Sequence, residues 1–388
     1  MRLPNAANEM IQEEILKQAA HVSKVVAALR FSDDQTLEFE CPDDQAAELQ
    51  KRVEEVAVKI QRSLRSLERR LVHRSPPPAG MPGVRDGVLP PGAQLLGTGQ
   101  VALQGPSLGL FRFFDRVFRD FGEPWSPVHV NTPTLIPATA LAKCDYFRSF
   151  PQYVTFAAHL KEEFSHISDF RARHQKRESL DEKALADMDT PDACLSPAVC
   201  YHIYHMHAGE KIGGPGAAFS VVGKCFRFET TNMRDLRRLW DFTMRELVFV
   251  GTRQWVLDER EKAIQRFIPL LDRFGIGAEI RTASDPFFIA PDAAAKTYFQ
   301  LSSETKYEIA MEIGPDDFMA VGSFNYHTDF FGKAFSVQGG DDTPMHSVCV
   351  AFGLERWVHG FVAQHGADPA RWPDEVRNSP EVRSNLPG

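Results

Sequence analysis

The sequence predicts an α+β protein in which a largely antiparallel β-sheet, flanked by helices, follows a small and mostly helical N-terminal region. Three observations lead to this prediction. Short apolar runs recur between residues 219 and 352 and are separated by loops rather than by regularly spaced helices, as is typical of antiparallel sheets. Apolar residues before residue 75 instead recur at helical spacing. A stretch dense in Pro and Gly, Ser75–Gly109, separates the two regions.

Composition narrows the class of protein. The 388 residues are 43% hydrophobic and 25% charged, which predicts a soluble globular protein of two or three domains. The net charge of −8 disfavours a non-specific nucleic-acid binder. We expect neither a signal peptide nor a membrane span, and the six cysteines are too scattered for a disulfide framework. The expectation is therefore a cytoplasmic protein, either an enzyme or a member of a complex.

The N-terminal region, residues 1–75, is predicted to hold two helices around a short strand. The first helix spans Asn8–Leu29, Thr36–Cys41 alternates like a strand, and the second helix spans Asp44–Arg74. The apolar face of the second helix consists of Val53, Val56, Ile60, Leu64, Leu67 and Leu71. Its part Lys51–Arg74 carries eight Lys and Arg against three Glu. This surface is either a solvated helix packed on the main body or a docking face for an acidic partner.

The rest of the chain divides into a linker with an irregular segment, a main body and a tail: residues 76–106, 107–365 and 366–388. The main body opens with a helix over Gly109–Phe121 and a strand over Pro127–Leu135, and a charged helical insertion occupies about residues 155–190. Strand candidates follow at Phe219–Val222, Phe226–Phe228, Leu247–Val250, Phe318–Val321 and Val348–Phe352. The tail is rich in Pro, Asp and Asn, and we expect it to be loosely attached.

Three local patterns occur in order along the main body. They are the helix over Gly109–Phe121 leading into NTPTL at Asn131–Leu135, CFRFE at Cys225–Glu229 followed by LRRLWDFTMRE at Leu236–Glu246, and VAFGLERW at Val350–Trp357. Each is weak alone, since Arg227 and Glu229, two apart on a strand, equally fit a surface ion pair. Neither a phosphate loop nor a Gly-rich turn between a strand and a helix is present, so the two common nucleotide-binding folds are unsupported.

Together, the three patterns resemble the signature motifs of class II aminoacyl-tRNA synthetases, and most closely those of seryl-tRNA synthetases. Phe318–Phe330 (FMAVGSFNYHTDF) is similar to the segment in which that family has a Ser/Cys-rich strand before Thr-Asp-Phe, and Lys306–Ile309 is similar to the strand before it. The resemblance covers about Gly97 to His365. It implies the class II catalytic fold, ATP as a substrate and a homodimer built through the first motif.

The resemblance also implies a role for each matching residue of an ATP site. Arg227 would hold the α-phosphate, for which a guanidinium supplies two parallel donors. Glu229 would accept a hydrogen bond from the adenine amino group, Phe242 and Arg356 would stack on the two adenine faces, and Arg238 would meet the outer phosphates. Mg²⁺ would bridge the phosphates and neutralise developing charge. Arg227 and Arg356 are the catalytic residues of this set.

One position departs from the family pattern. Ala320 stands where typical members carry a Mg²⁺-binding Glu, which leaves Ser323 and Glu308 as the candidate ligands at the ATP site. A non-catalytic synthetase paralogue is therefore a rival hypothesis. Ala320 favours it, whereas the presence of all the motif arginines disfavours it.

A set of three candidate metal ligands is a further implication of the resemblance. From the residues alone, Cys200, Glu246 and Cys349 obey no local spacing rule and equally fit buried thiols and a surface carboxylate. An atypical, zinc-dependent, methanogenic-type branch of seryl-tRNA synthetases, however, places a Cys, a Glu and a Cys at these motif positions. The resemblance therefore implies one Zn²⁺ per subunit, with a fourth position open for the amino group of the substrate.

A competing metal cluster is local in sequence. If residues 200–204 form a strand, Cys200 and His202 share a face and could pair on a metal, with His205 and His207 close by. Such histidines more often make loop hydrogen bonds or line a pocket, so we leave them out of the metal set. The remaining thiols of the main body are interpreted as packing residues: Cys144, Cys194 and Cys225.

The zinc-dependent branch contains full synthetases and truncated homologues, the amino acid:[carrier protein] ligases. The truncated homologues activate small amino acids such as glycine or alanine and load them onto the phosphopantetheine thiol of a carrier protein. The short N-terminal region favours this second kind, and the alternative is a seryl-type synthetase that charges tRNA. Carrier proteins are usually acidic, so a basic surface would steer them. The candidate surfaces are Lys51–Arg74 and, favoured by family precedent, the insertion residues Arg171, Arg173, Lys176 and Arg177.

Overall fold

The computed structural model describes residues 1–64, 69–85, 87–229, 233–285 and 293–386. The N-terminal region forms a helix, a two-stranded hairpin and a second helix: α1 (Glu9–Ala19), β1 (Ala27–Phe31), β2 (Leu37–Glu40) and α2 (Ala46–Leu64). Asn8 caps α1, since its side chain accepts a hydrogen bond from the backbone N–H of Ile11 at 2.9 Å. A small core, which includes Ile15 and Val53 and also takes in Leu301 from the main body, holds this region together.

The structure confirms the short strand of this region but corrects both helices. The first helix ends at Ala19 rather than at Leu29, because residues 27–31 pair with residues 37–40. The second helix ends at Leu64, and the prediction of a helix to Arg74 is wrong because Leu71–Ser75 is a strand, β3, paired with the main sheet. Leu71 continues the helical spacing of apolar residues, but pairing at the edge of the sheet overrides that local pattern. Leu67 lies outside the described residues.

The main body supplies the remaining strands and helices. The strands are β4 (Ala93–Gly97), β5 (Gln100–Leu103), β6 (Val128–Asn131), β7 (Leu135–Pro137), β8 (Phe156–Ala157), β9 (Ala193–Leu195), β10 (Gly216–Phe226), β11 (Asp241–Gly251), β12 (Ala278–Thr282), β13 (Lys306–Gly314), β14 (Asp317–Tyr326) and β15 (His346–Gly353). The helices are α3 (Gly105–Gly122), α4 (Ala138–Lys143), α5 (Tyr146–Ser149), α6 (Phe164–His174), α7 (Cys200–Met206), α8 (Arg253–Phe274), α9 (Ala293–Ser302), α10 (Phe330–Phe335), α11 (Leu354–His365), α12 (Asp374–Arg377) and α13 (Pro380–Arg383). Among the described residues, none of these helices combines the length and the apolar character that a membrane crossing requires.

One large sheet organises the main body. Its strand order is β3-β12-β13-β14-β15-β11-β10-β6, and the β4–β5 hairpin joins it beside β11. Neighbouring strands along this path are antiparallel except β6 and β10, as the loop-separated apolar runs predict. The run at residues 219–222 and the first residue of the run at 226–228 belong to a single strand, because β10 extends from Gly216 to Phe226, and residues 227 and 228 follow its end.

Alternation along the strands divides the core between the two faces of the sheet. On β11, Leu247 and Phe249 pack on one face with side chains of α3, α8 and α11. Val248 and Val250 face the opposite side, where α7 and α10 lie. The same alternation places Glu246 of β11 and Cys349 of β15 on the α7 side. The chemistry of the candidate site develops on this second face.

The insertion and the tail both differ from prediction. The insertion, expected to be helical over about residues 155–190, contains the single α-helix α6 among its described elements. The tail, expected to be loosely attached, packs through the buried side chains Trp372, Val376 and Val382. It lies so close to α3 that a Cβ on Gly109 would sit 2.9 Å from the Cα of Val382. Apolar residues spaced among polar ones give this tail its anchor.

Candidate active site

A pocket lies between the end of β10, the start of β11 and the beginning of α11. All but one of the residues expected to bind ATP line it: Arg227, Glu229, Phe242, Glu308, Ser323 and Arg356. The remaining one, Arg238, stands beside the pocket, with its Nε 3.6 Å from a carboxylate oxygen of Glu229. Residues separated by more than a hundred positions are thus brought together as the resemblance implies.

The guanidinium of Arg227 is held in place by contacts on two sides. Its Nε–H donates to the carbonyl oxygen of Pro197 at 3.0 Å, and its carbon lies 5.3 Å from the ring centroid of Phe242. Arg227 and Glu229 follow the end of β10 at Phe226, so the expectation that they share a strand face is wrong. Glu229 faces Arg238 instead, and the orientation of Arg227 comes from the loop at Pro197.

The third motif is tied to the second through a residue that the sequence did not single out. The carboxylate of Glu355 accepts hydrogen bonds from the backbone N–H and the hydroxyl of Thr243, at 2.8 and 2.9 Å. Burial raises the pKa of Glu355. The neighbouring Arg356 donates to the carbonyl oxygen of Ala320 at 3.0 Å. This pair therefore fixes the start of α11 against β11 and β14.

The position of Ala320 on the pocket wall leaves two oxygen ligands for a cation. Glu308 of β13 and Ser323 of β14 are direct partners in the strand register, and both line the pocket. A carboxylate and a hydroxyl at adjacent positions fit the oxygen ligands that Mg²⁺ takes when phosphates supply the rest. Both candidates from the sequence therefore lie side by side on the wall of the pocket.

The candidate metal ligands form a compact, buried cluster. The ligand atoms of Cys200, Glu246 and Cys349 all lie within 4.8 Å of one another, and the Cys349 thiol donates to the Glu246 carboxylate at 2.8 Å. Burial raises the pKa of Glu246, against the hydrogen bonds from the two thiols. Two thiols and a carboxylate at this separation fit a three-ligand metal site that leaves one position open.

The rival cluster around the histidines is not assembled. Cys200 begins the helix α7, so the condition under which it would share a face with His202, a strand over residues 200–204, is not met. Within the described residues, no other three His, Cys, Asp or Glu side chains are gathered in the same way as Cys200, Glu246 and Cys349. All six cysteines are free, and the three thiols interpreted as packing residues are buried: Cys144, Cys194 and Cys225.

A second cavity, of about 390 Å³, continues from the ATP-type pocket to the Cys–Glu–Cys cluster. The two spaces share the wall residues Arg227, Met244, Lys306, Ser323 and Ala351. We call the two spaces together the chamber. The sequence did not single out the polar residues that line its second part, which include Asp285, Lys306 and His327.

The two basic surfaces, the insertion and the stretch Lys51–Arg74, differ in how many of their cationic side chains are engaged in ion pairs. On α6 and just after it, Arg171, Lys176 and Arg177 are exposed. Arg173 is bound by the carboxylates of Asp181 and Asp187 and holds the insertion together. The insertion also exposes apolar side chains on α6, among them Phe164, which is 88% exposed.

Several cationic side chains of the stretch Lys51–Arg74 form ion pairs with carboxylates of the same chain. Arg69 forms an ion pair with Glu13 at 2.7 Å, Arg70 pairs with Glu304, and Arg74 lies 3.4 Å from Glu279. These arginines join the N-terminal region to the edge of the main sheet. The insertion is therefore the better candidate for a docking surface.

Comparison with known proteins decides the family. An amino acid–[acyl-carrier-protein] ligase of Bradyrhizobium diazoefficiens is 32% identical over 255 residues, which cover 63% of this chain and 74% of that protein. The chain belongs to the amino acid–[acyl-carrier-protein] ligase family. The prediction of this family from the sequence motifs is confirmed. No family model matches the chain.

Aminoacyl-tRNA synthetases are also similar to this chain, at lower sequence identity. A type-2 serine–tRNA ligase of Methanococcus maripaludis is 24% identical over 291 residues, which cover 72% of this chain and 56% of that protein. A crystal structure of M. kandleri SerRS in complex with tRNASec of A. aeolicus superposes with a TM-score of 0.70 at 19% identity, over 100% of this chain and 78% of that one. This likeness confirms the predicted class II synthetase fold.

Proposed function

We propose that this protein is an AMP-forming ligase that activates a small amino acid with ATP and transfers it to the phosphopantetheine thiol of an acidic carrier protein. The observation that carries the proposal is the chamber, which joins an ATP-type pocket to a buried Cys–Glu–Cys cluster through a shared wall. Family membership supports both the ligase chemistry and the carrier as acceptor.

In the first step, a carboxylate oxygen of the amino acid attacks the α-phosphorus of ATP. The new bond joins that oxygen to phosphorus, and the bond to pyrophosphate breaks. Arg227 neutralises the charge that develops on the α-phosphate oxygens, because its guanidinium is already oriented by Pro197 and Phe242. Glu229 recognises the adenine amino group, Phe242 and Arg356 hold the ring between them, and Arg238 binds the outer phosphates. Glu308 and Ser323 would hold the Mg²⁺ that accompanies ATP.

The amino acid is positioned by the other end of the chamber. Cys200, Glu246 and Cys349 would hold one Zn²⁺ per subunit, which when bound supplies an open position for the uncharged amino group. The surrounding side chains, among them the buried Tyr146 and Phe331, exclude water from that end. Recognition through the amino group, in a cavity walled by aromatic rings, favours a small side chain such as that of glycine or alanine.

In the second step, the carrier thiol attacks the carbonyl carbon of the aminoacyl-adenylate and AMP leaves. A thiolate is a good nucleophile and the mixed anhydride is already activated, so positioning suffices. We place the carrier on the insertion, where Arg171, Lys176 and Arg177 would meet its acidic surface. Arg173 maintains the shape of that surface through Asp181 and Asp187.

Two further features belong to the proposal. The enzyme would be a homodimer that pairs through α3 and β6, since β6 is an edge strand whose Val128 is 56% exposed. We also propose that it acts in the cytoplasm, in keeping with free thiols throughout.

The test is amino-acid-dependent ATP–pyrophosphate exchange with zinc-replete protein and each of the standard amino acids in turn. Exchange with one or two small amino acids is the expected result. The active amino acid, radiolabelled, is then offered to a phosphopantetheinylated carrier protein, to the same carrier without the prosthetic group, and to bulk tRNA. Labelling of the first alone supports the proposal. Labelling of tRNA would establish a synthetase, and no exchange with any amino acid would establish the non-catalytic paralogue.

A further inference from the structure

The junction between the two parts of the chamber carries two cationic side chains. Of the described residues that line both parts, Arg227 and Lys306 are the charged ones. Lys306 begins β13, and its side chain is only 11% exposed. Sequence motifs assign it nothing, and the mechanism described so far does not use it. A buried ammonium at a reaction junction calls for a physical account, because burying a charge is unfavourable unless it is paired.

The ammonium of Lys306 is fixed from two sides. It donates to the carboxylate of Asp285 at 2.7 Å and lies 3.3 Å from a carboxylate oxygen of Glu308. Asp285 is itself anchored, since its backbone N–H donates to the Gln300 side chain at 2.7 Å and its other carboxylate oxygen accepts from that side chain at 2.8 Å. A lysine ammonium has three N–H donors. Two face these carboxylates within the described structure, which leaves one for a ligand in the chamber.

The two ends of the amino acid need different partners. In the proposed function, the amino group lies at Cys200, Glu246 and Cys349, so the carboxylate one carbon away must point toward the ATP pocket. In the same proposal, Arg227, which Phe242 and Pro197 hold in place, serves the α-phosphate of the nucleotide. The second cation of the junction is then available for the carboxylate of the amino acid, as a pre-aligned donor.

We propose that Lys306 is a catalytic residue that binds the carboxylate of the amino acid and directs one of its oxygens at the α-phosphorus. The inference rests on the proposed function and adds a substrate contact to it. Lys306 keeps its proton throughout: the carboxylate oxygen forms the bond to phosphorus, the bond to pyrophosphate breaks, and the ammonium then faces the carbonyl oxygen of the adenylate. Asp285 is the positioning residue that holds the ammonium at the junction.

The test compares Lys306→Met with the wild type in pyrophosphate exchange. The KM for the amino acid should rise about 10- to 100-fold, which corresponds to the loss of a hydrogen bond between charged groups. The KM for ATP should change by less than about threefold. The decisive measurement is inhibition by the amide of the same amino acid, which keeps the amino group and lacks the carboxylate charge. Its inhibition constant should be nearly the same in both proteins.

Two further variants keep the result interpretable. The single variant Lys306→Met leaves the carboxylate of Asp285 without its ion-pair partner. The double variant Lys306→Met, Asp285→Asn removes both charges, and its melting temperature should be close to that of the wild type. Lys333→Met is the matched control, because Lys333 is an exposed lysine paired with Asp329, and it should behave as wild type. Equal weakening of the amino acid and its amide would overturn the inference, as would an unchanged KM for the amino acid. A wild type without exchange would overturn the proposed function, and the inference with it.

Discussion

The charged side chains of the chamber are buried and held by distant parts of the chain, whereas those of the insertion are exposed and paired locally. In the chamber, Glu246 is 1% exposed and Lys306 is 9% exposed when the whole residue, backbone included, is counted. Each is held by strands from distant parts of the sequence. On the insertion, the charges lie on and after one short helix and pair with neighbours a few residues away, as Arg177 does with Asp181. Replacing a buried charge that has fixed partners should remove almost all of the activity that depends on it. Each exposed charge should instead contribute a small and separate part of the binding, which salt screens. The two regions should therefore respond differently to mutation.

Replacement of Arg227 should give the largest effect. Arg227→Ala removes the guanidinium that faces the α-phosphate, and we expect adenylate formation to fall by about 1,000-fold or more. The measurement is amino-acid-dependent pyrophosphate exchange, with circular dichroism to show an intact fold. Arg30→Ala is the control, since Arg30 is an exposed arginine of β1 paired with Glu38. Normal exchange by Arg227→Ala would remove this residue from the mechanism.

Replacement of Glu246 tests the other end of the chamber. Glu246→Gln keeps the volume of the side chain but removes a negatively charged ligand, so zinc affinity should fall by about 100-fold. Metal content by mass spectrometry and exchange activity should fall together, while ATP binding stays as in the wild type. Cys41→Ser is the control, because Cys41 lies in the N-terminal region away from the cluster. Full zinc content in Glu246→Gln would contradict the metal assignment.

Charge reversal on the insertion should give a smaller and salt-dependent effect. In a triple variant with Glu at positions 171, 176 and 177, we expect kcat/KM for the carrier protein to fall by about tenfold at low salt and by less at high salt. Pyrophosphate exchange should not change, because the chamber is untouched. The matched control reverses Lys51, Arg52 and Arg62, which are exposed on α2. If the control loses carrier transfer and the insertion variant does not, the carrier docks on α2.

The smallest expected effect comes from loosening the insertion without changing its exposed cations. Asp181 lies 3.3 Å from Arg173 and 3.6 Å from Arg177. Asp181→Asn weakens both ion pairs, and we expect carrier transfer to fall by about two- to threefold. Limited proteolysis should cut the insertion faster, and exchange should stay at the wild-type rate. A variant as defective in exchange as in transfer would show that the insertion and the chamber are coupled.

The same contrast explains what the sequence could and could not predict. Glu229, Phe242 and Arg356 lie in recognisable motifs, so the resemblance alone predicts them in one ATP site, and all three line one pocket. Short apolar runs likewise predict strands at Leu247–Val250 and Val348–Phe352, which lie within β11 and β15, and their buried residues face two cores. The proximity of Cys200, Glu246 and Cys349 followed from the family resemblance alone, because spacing along the chain carries no information about a contact across a sheet.

Other features depend on tertiary structure that no local pattern encodes. Leu71 fits a helical face but lies in β3, since its strand finds a partner in β12. Cys200 begins α7, so it does not share a strand face with His202, an arrangement that the sequence left open. Lys306 opens a strand that resembles a family segment, but the resemblance gives it no role, and only the geometry of the chamber does. These residues owe their positions to distant parts of the chain.

The position of β3 bears on how the protein is made. The backbone N–H of Arg70, just before β3, donates to the hydroxyl of Thr282, a residue 212 positions later, and β3 closes one edge of the main sheet. During synthesis, the first seventy or so residues leave the ribosome long before their partner strand exists. Contacts of such long range form late, because closing a long loop is entropically unfavourable. The edge strand can therefore take its place only after β12 has been made, and a nascent chain that stalls before β12 is one in which β3 has no strand to pair with.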